Sequence, residues 1–326
     1  MTLKSIRLRP LSATVAIAII VILSAIPFFG GAYVIAHFTR ILIYVIFAMS
    51  LDLLVGYCGL VSLGHAAFFG VSAYTAALLA IKAGITNMLI ALPVSLMAAA
   101  VVAFIIGLLT LRMTGIYFIM ATLAFAQMLY FLVNDNSYFG GSNGLLVFNR
   151  IHASVGQFIL LDLADRPTRY FVTLVAAVAT FVGLLLLVRS PFGRVLQGIK
   201  SNEQRMRALG YRVGYYKLGC FVIGGTLGGL AGYLYILLTS LADPSILDWL
   251  QSAQVLMMVI LGGLGTLIGP AAGAFLLIEL IDQTAGVTEH WKLIVGVVVI
   301  AITLFFRGGL MGAALRIRRF GARAST

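Results

Sequence analysis

The sequence predicts an all-α, polytopic membrane protein with about eight to ten hydrophobic segments, and three observations carry that prediction. Of its 326 residues, 62% are hydrophobic and only 10% are charged, a balance that excludes an ordinary soluble enzyme. Apolar runs of the ~20 residues that span a bilayer recur from Leu11 to Phe306. The 22 Lys and Arg, against 10 Asp and Glu, gather in a few stretches, as the positive-inside rule requires of segments left on one side of a membrane.

Lys4, Arg7 and Arg9 precede the first apolar stretch, Leu11 to Phe29. No small-x-small cleavage site is evident and many further spans follow, so this reads as an uncleaved first span rather than a secretory signal. Eight more stretches lie at 33–56, 63–81, 86–110, 114–133, 169–188, 217–240, 253–281 and 291–306. The N-terminal cluster and the tail arginines Arg307, Arg316, Arg318, Arg319 and Arg323 both ask for the cytosol, and nine simple spans cannot place both there. The expected exception is 253–281. Gly262-Gly263-Leu264-Gly265-Thr266-Leu267-Ile268-Gly269-Pro270 interrupts it, and Pro270 cannot donate to a continuous helical ladder. The chain is expected to turn back there as a broken or re-entrant hairpin with arms of about 14 and 18 Å, roughly half a bilayer each. The alternative is that 63–81, which opens on Ser62-Leu63-Gly64-His65, fails to cross.

With the hairpin, 282–290 is outside and 16 of the 22 basic residues are inside, leaving Arg40, Lys82, Arg150, Arg166, Arg169 and Lys292 outside or near the outer face. The chain then reads as one transmembrane domain, 1–326, with an outer loop at 134–168, a cytosolic loop at 189–217 and a basic cytosolic tail at 307–326.

The cytosolic loop carries seven basic residues and one acid, Glu203. From Arg194 to Leu209 its period is helical: Val195, Ile199, Met206 and Leu209 share a stripe opposite Lys200 and Arg207, and Gly210 suits a C-terminal cap. Such a helix lies on anionic headgroups or docks on protein, and periodicity does not separate the two. The outer loop is turn-rich and long for a connector; it covers a pathway entrance, receives an external partner or is a solvated linker.

Gly224, Gly228 and Gly232 repeat at four-residue spacing, as do Gly265, Gly269 and Gly273, so neighbouring backbones can approach there. With Gly262, Gly263 and Pro270 these are packing and hinge positions rather than chemistry. A short self-similarity links Gly59-Leu60-Val61-Ser62-Leu63-Gly64 to 263–269, a hint of the duplicated halves found in transporters. Cys58 and Cys220 stand 162 positions apart, so no disulfide framework is expected, and the four histidines are too scattered to imply a metal. No G-x-x-x-x-G-K-[ST] phosphate cradle and no hydrolase motif occur, so the chain is not an enzyme in its own right and any ATP hydrolysis must come from a partner. The functional candidates left are polar residues inside the spans: Asp52, His65, Gln127 and Glu279. Asp52 and Glu279 lie near span ends and can reach the interface. His65 reads as a helix-start residue satisfied by backbone carbonyls or as a contact for a permeating solute. Gln127 lines a pathway or bonds across helices.

Four segments resemble a known family: 61–70, 114–127, Gly140-Gly141-Ser142-Asn143-Gly144-Leu145 and 261–270 are similar to permeases of bacterial branched-chain amino-acid ABC importers of the LivM type, a likeness covering roughly 35–305. It implies an ABC-importer permease fold in the bacterial inner membrane, with both termini cytosolic and 134–168 periplasmic. Ser190-Pro191-Phe192-Gly193-Arg194 with Glu203, Ala208, Leu209 and Gly210 resembles the family's coupling segment, which fits a groove on the ATPase; Lys200, Arg205 and Arg207 belong to the same stretch. Family members often carry acid and alanine where this chain has Arg205, Met206 and Arg207, a departure that bears on the ATPase surface. The resemblance implies a second, related permease, two cytosolic ATPases that bind ATP and Mg, and a periplasmic solute-binding protein; it implies no cofactor on this chain and no nucleic acid. Related permeases serve urea and short amides. The competing class is an ion-coupled secondary transporter, suggested by the broken segment and opposed by the scarcity of intramembrane charge. A passive channel has no sequence signal.

Overall fold

The computed structural model describes residues 21–147, 151–155, 158–305 and 308–312. Lys4, Arg7, Arg9, Arg150 and the tail arginines lie outside the described residues. After a helical stretch at 21–29 comes α1 (Ala32–Asp52), which continues as a π-helical turn (Leu53–Cys58). Then follow α2 (His65–Ile81), α3 (Met88–Thr110) and α4 (Ile116–Asn134). The 135–165 connection holds β1 (Leu145–Leu146), β2 (His152–Val155) and β3 (Phe158–Asp162). Next are α5 (Arg166–Arg189), α6 (Pro191–Ser201), α7 (Glu203–Ala208) and α8 (Val213–Thr239). After β4 (Leu241–Ala242) and a 3-10 turn (Pro244–Leu247) come α9 (Trp249–Gly262), α10 (Ile268–Ala285) and α11 (Trp291–Phe305).

Among the described residues, six stretches are long and apolar enough to cross a membrane: α1 with its π turn, α3, α4, α5, α8 and the segment beginning at Trp291. The fold is therefore polytopic and all-α in its membrane part. The apolar window of α1 is 89% buried, against 28% for α3 and α5 and 22% for α4, so α1 is the central post and the other three turn most of their surface outward.

Small residues decide which helices close up on one another. Along α8, a Cβ at Gly224 would strike Leu54, and one at Gly232 would overlap the carbonyl of Phe69, so this stripe lets α1 and α2 approach to backbone distance. Gly225 and Gly229 lie against Ala103 and Ala99 of α3 in the same way. The large side chains of α3, such as Phe104, Ile105 and Leu108, are exposed, as hydrocarbon-facing positions are.

The hairpin is present, and its turn occupies the predicted glycine-rich segment. Its arms are longer than expected: at 1.5 Å per residue α9 and α10 are about 21 and 27 Å long, not half-bilayer pieces. Most of the extra length lies at the far ends, where α9 starts at Trp249 and α10 runs to Ala285, beyond the apolar stretch 253–281. At the turn, Pro270 sits in the first turn of α10, where its missing N–H has no intrahelical partner to lose, so the helix starts two residues before the proline. Gly262 and Gly273 bring the arms together, since a Cβ on either would overlap the opposite backbone. Near one end of α1, Asp52 meets Gly265 and Leu267 of the turn; near the other, His37 meets Glu279 and Asp282 of α10. α1 and α10 are thus antiparallel, with contacts at both ends.

The predicted continuous helix from Arg194 to Leu209 is broken. Asn202 adopts φ −160°, ψ 102°, and its side chain accepts the Arg205 N–H at 2.9 Å, ending α6 and capping α7. Val195 and Ile199 are buried with Val213, and Met206 packs on them, but Leu209 swings out to 65% exposure. Gly210, at φ +86°, has the left-handed backbone expected of it. At the far end, β1 pairs antiparallel with β4, β2 with β3, and the His152 N–H bonds the Thr86 carbonyl, so the 135–165 connection is tied to the loops after α2 and α8.

Candidate functional site

The 189–217 residues singled out in the sequence form a compact structure at the Asp52 end of α1. The Ser190 hydroxyl caps α6 by accepting the Gly193 N–H at 3.3 Å, and Gly193 has no room for a Cβ beside the carbonyls of Leu187 and Val188, so α6 folds back tightly from α5. Lys200 reaches across to donate to the carbonyl of Gly56, in the π turn, at 2.5 Å. Glu203 accepts from Arg207 and from Lys217 at 2.6 Å each. Partial burial pushes the Glu203 carboxyl up, but the hydrogen bonds and charges of Lys217 and Arg207 outweigh it and hold the group below the ordinary carboxylate value. Arg194, Arg205, Ala208, Leu209 and Gly210 point outward as an exposed surface. Between this structure and the start of α4 lies a cavity of about 450 Å3, lined among others by Cys58, Thr114, Lys200, Asn202, Glu203 and Lys217. Lys217, which the sequence reading merely counted as basic, is the partner that locks α7 to α8. Only its spacing of 14 from Glu203 could have hinted at that.

Asp52 does not escape to the interface. It is fully buried, and its carboxylate accepts the backbone N–H groups of Gly265 at 2.7 Å and Leu267 at 3.3 Å. Gly56, one turn on, packs against Gly265 with no space for a side chain. The two segments that resemble each other in sequence thus lie at the same end of the molecule. In the hairpin turn Gly263 and Gly265 have positive φ, and the Thr266 hydroxyl bonds the Gly263 carbonyl and the Gly269 N–H.

His65 is fully buried, stacked on Phe47 at 5.5 Å between ring centroids, with Nε2 2.8 Å from the Ser50 hydroxyl. Ser50 donates its own proton to the Phe47 carbonyl, so His65 donates from Nε2. A side-chain hydroxyl, and not the backbone carbonyls expected, is the partner of Nε2, while the buried Nδ1 has no hydrogen-bond partner among the described residues. Gln127 donates from Nε2 to Asp248 Oδ1 at 2.7 Å and lines an open groove along α4. Asp248 was not singled out from the sequence, because the polar stretch before α9 reads as a loop there. Glu279 is 37% exposed at the other end of α1, 3.0 Å from His37 Nε2; His37 Nδ1 is 3.0 Å from Asp282, which Arg40 also binds.

The Lys200–Gly56, Glu203–Lys217 and Asp52–Gly265 contacts join α6, α7, α8, the π turn and the hairpin through main-chain hydrogen bonds and an ion pair, an arrangement suited to passing a displacement from α6 through the π turn to the hairpin.

A family model described as branched-chain amino acid transport system / permease component matches residues 33–304. The chain is 29% identical over 314 residues to the high-affinity branched-chain amino acid transport system permease protein LivM of Escherichia coli strain K12, covering 90% of this chain and 74% of that protein. The Salmonella typhimurium strain LT2 protein of the same description is 29% identical over 313 residues, 90% of this chain and 73% of that one. A probable branched-chain amino acid transport permease protein LivM of Methanocaldococcus jannaschii is 36% identical over 90 residues, 27% of this chain and 26% of that protein. No solved structure matches.

Proposed function

The chain belongs to the family of branched-chain amino acid transport system permease components, and from that premise we propose that it carries branched-chain amino acids across the inner membrane within an ATP-driven importer. It is a multi-pass, non-catalytic transport subunit. Its proposed companions are a second, related permease, two cytosolic ATPases and a periplasmic binding protein that supplies the solute. The α6–α7 end faces the cytosol with both termini, and 134–168 faces the periplasm.

The observation that supports coupling is the Lys200 hydrogen bond to Gly56. It ties the exposed α6–α7 segment to the central post, so that a push on Arg194, Arg205, Ala208 and Leu209 reaches the π turn, Asp52 and the hairpin as one displacement. An ATPase gripping that surface drives the bundle from one open side to the other. Gln127 lies on the solute pathway, and His65 and Asp52 hold the helices around it. Urea or short amides moved by the same machinery are not favoured, since every named relative transports branched-chain amino acids.

The test is removal of charge from the coupling segment. Glu203→Gln with Arg205→Ala and Arg207→Ala is expected to abolish leucine uptake and co-purification of the ATPase while the protein stays inserted. Unchanged uptake refutes the coupling role. Calorimetry of the binding protein with leucine, isoleucine, valine, urea and acetamide tests the solute.

A further inference from the structure

Asp248 is a partly buried carboxylate that stands beside Gln127, a residue within the α4 span. At 1.5 Å per residue Gln127 lies roughly 16 Å from Ile116 and roughly 10 Å from Asn134 along α4. An ionisable group at that depth faces protein or a water-filled route, because hydrocarbon cannot solvate it. The surface beside it is an open groove of about 860 Å3, running from Gln127 past Met128, Phe131 and Leu132 to a mouth formed by the carboxylate Asp135 with Asn136 and Ser137. Its mouth is polar, its walls are apolar and its floor is an amide. Among the described residues no basic side chain lines it.

The bond to Asp248 decides which way that amide faces. A carboxylate only accepts, so it holds the NH2 end of Gln127 and leaves the carbonyl oxygen for the groove. The carboxylate behind it makes that oxygen a better acceptor, since hydrogen bonds in series polarise one another. The floor is thus built for a donor carrying positive charge.

We propose that the α4 groove is the solute's route through this subunit, that the Gln127 carbonyl oxygen receives the solute's ammonium group there, and that Asp248 is the residue positioning it. The inference rests on the reading of the chain as an amino-acid permease. Met128, Phe131 and Leu132 supply the apolar wall for an aliphatic side chain, which suits leucine, isoleucine and valine better than a polar solute.

The complete importer, reconstituted in proteoliposomes and given leucine-loaded binding protein, tests this. Gln127→Leu is expected to lower leucine uptake at least tenfold while ATP hydrolysis stimulated by the binding protein stays within twofold of wild type. Asp248→Asn frees the amide to turn over and is expected to lower uptake severalfold. Adding Gln127→Glu to Asp248→Asn restores it, because the new amide donates to one oxygen of the new carboxylate and leaves the other for the groove. Normal uptake by Gln127→Leu overturns the proposal, as does parallel loss of uptake and hydrolysis, which makes the pair structural. A wild-type importer that hydrolyses ATP but moves no leucine overturns the amino-acid reading and this inference with it. Independently, Met128→Cys is expected to react with a water-soluble maleimide; reaction only with a membrane-partitioning maleimide assigns the face to lipid and overturns the proposal.

Discussion

The carboxylate of Asp52 accepts the backbone N–H of Gly265 at 2.7 Å, so a side chain at the end of the central helix holds the turn of a hairpin 213 positions later in the chain. A second bond, from Leu267 at 3.3 Å, makes the grip two-pronged. Four residues on, Gly56 takes Lys200, which places the π turn between the hairpin and α6. π-helical turns recur at functional sites, where an extra residue in the register can be absorbed or released.

Asp52→Ala is expected to destabilise the protein strongly. It leaves the buried Leu267 N–H without an acceptor, at roughly 1–3 kcal/mol, and the partly buried Gly265 N–H at less, and Asp52→Asn, which keeps one acceptor, is expected to fall between it and wild type. Thermal unfolding in nanodiscs measures both. Equal midpoints for wild type and Asp52→Ala would show that the turn does not depend on this carboxylate.

Two glycines in spans should respond in opposite ways to a methyl group. Gly232→Ala puts a Cβ into the Phe69 carbonyl, and the resulting shift of α2 from α8 is expected to cost about 1–3 kcal/mol. Gly183→Ala in α5 meets nothing within 4 Å and is expected to be neutral or to stabilise by up to about 1 kcal/mol, since alanine is the better helix former. The same unfolding measurement on the two variants checks the pair, and a tolerated Gly232→Ala contradicts the packing described.

Acid should loosen the α7–α8 junction. The folded Glu203 carboxyl titrates below its ordinary value of 4.5, so its contribution is fully present above that value and is lost as the pH falls through the lower, folded one. Glu203→Gln is therefore expected to be less stable than wild type by roughly 1–2 kcal/mol at pH 7, because it leaves the buried Lys217 ammonium unpaired, with the gap closing well below pH 4.5. Unfolding midpoints across pH 3–7 read this directly. A gap that persists undiminished at the acid end assigns the effect to something other than charge.

At the opposite end, His37→Cys with Glu279→Cys is expected to be bridged by a short, reducible bis-methanethiosulfonate cross-linker, since the longer native side chains meet at 3.0 Å and Cys58 and Cys220 are buried. The cross-link is expected to cut uptake to background and reductant to restore it, because it fixes α1 to α10 at the end away from the α6–α7 segment. Full uptake with the bridge formed would place the moving boundary elsewhere.

Much of this architecture is legible in the residue order because its determinants are local. Hydropathy marks the spans, glycine spacing marks the α8 faces, and the run from Gly262 to Pro270 marks the hairpin. The break at Asn202 is invisible to periodicity, because Met206 stays on the stripe of Val195 and Ile199 whether or not the helix is continuous. The arm lengths escape hydropathy because α9 and α10 run past the apolar stretch, from Trp249 and to Ala285, through polar residues that helices tolerate at their ends, and because Pro270 stands in a first turn. Glu203 with Lys217, and Gln127 with Asp248, are pairings that only tertiary structure makes, and neither partner's type distinguishes it from a solvated neighbour. His65 was visible as a polar residue in an apolar stretch, yet its hydroxyl partner on α1 was not.

The Lys200–Gly56 and Asp52–Gly265–Leu267 contacts all end on main-chain atoms. Apart from Gly56 and Gly265, whose close approach leaves no room for a Cβ, the linkage does not read side chains, and one such as the exposed Leu264 can change freely. Spacing is what it cannot forgive: one residue inserted or deleted between Asp52 and Gly56, or within 263–267, would put every partner out of step.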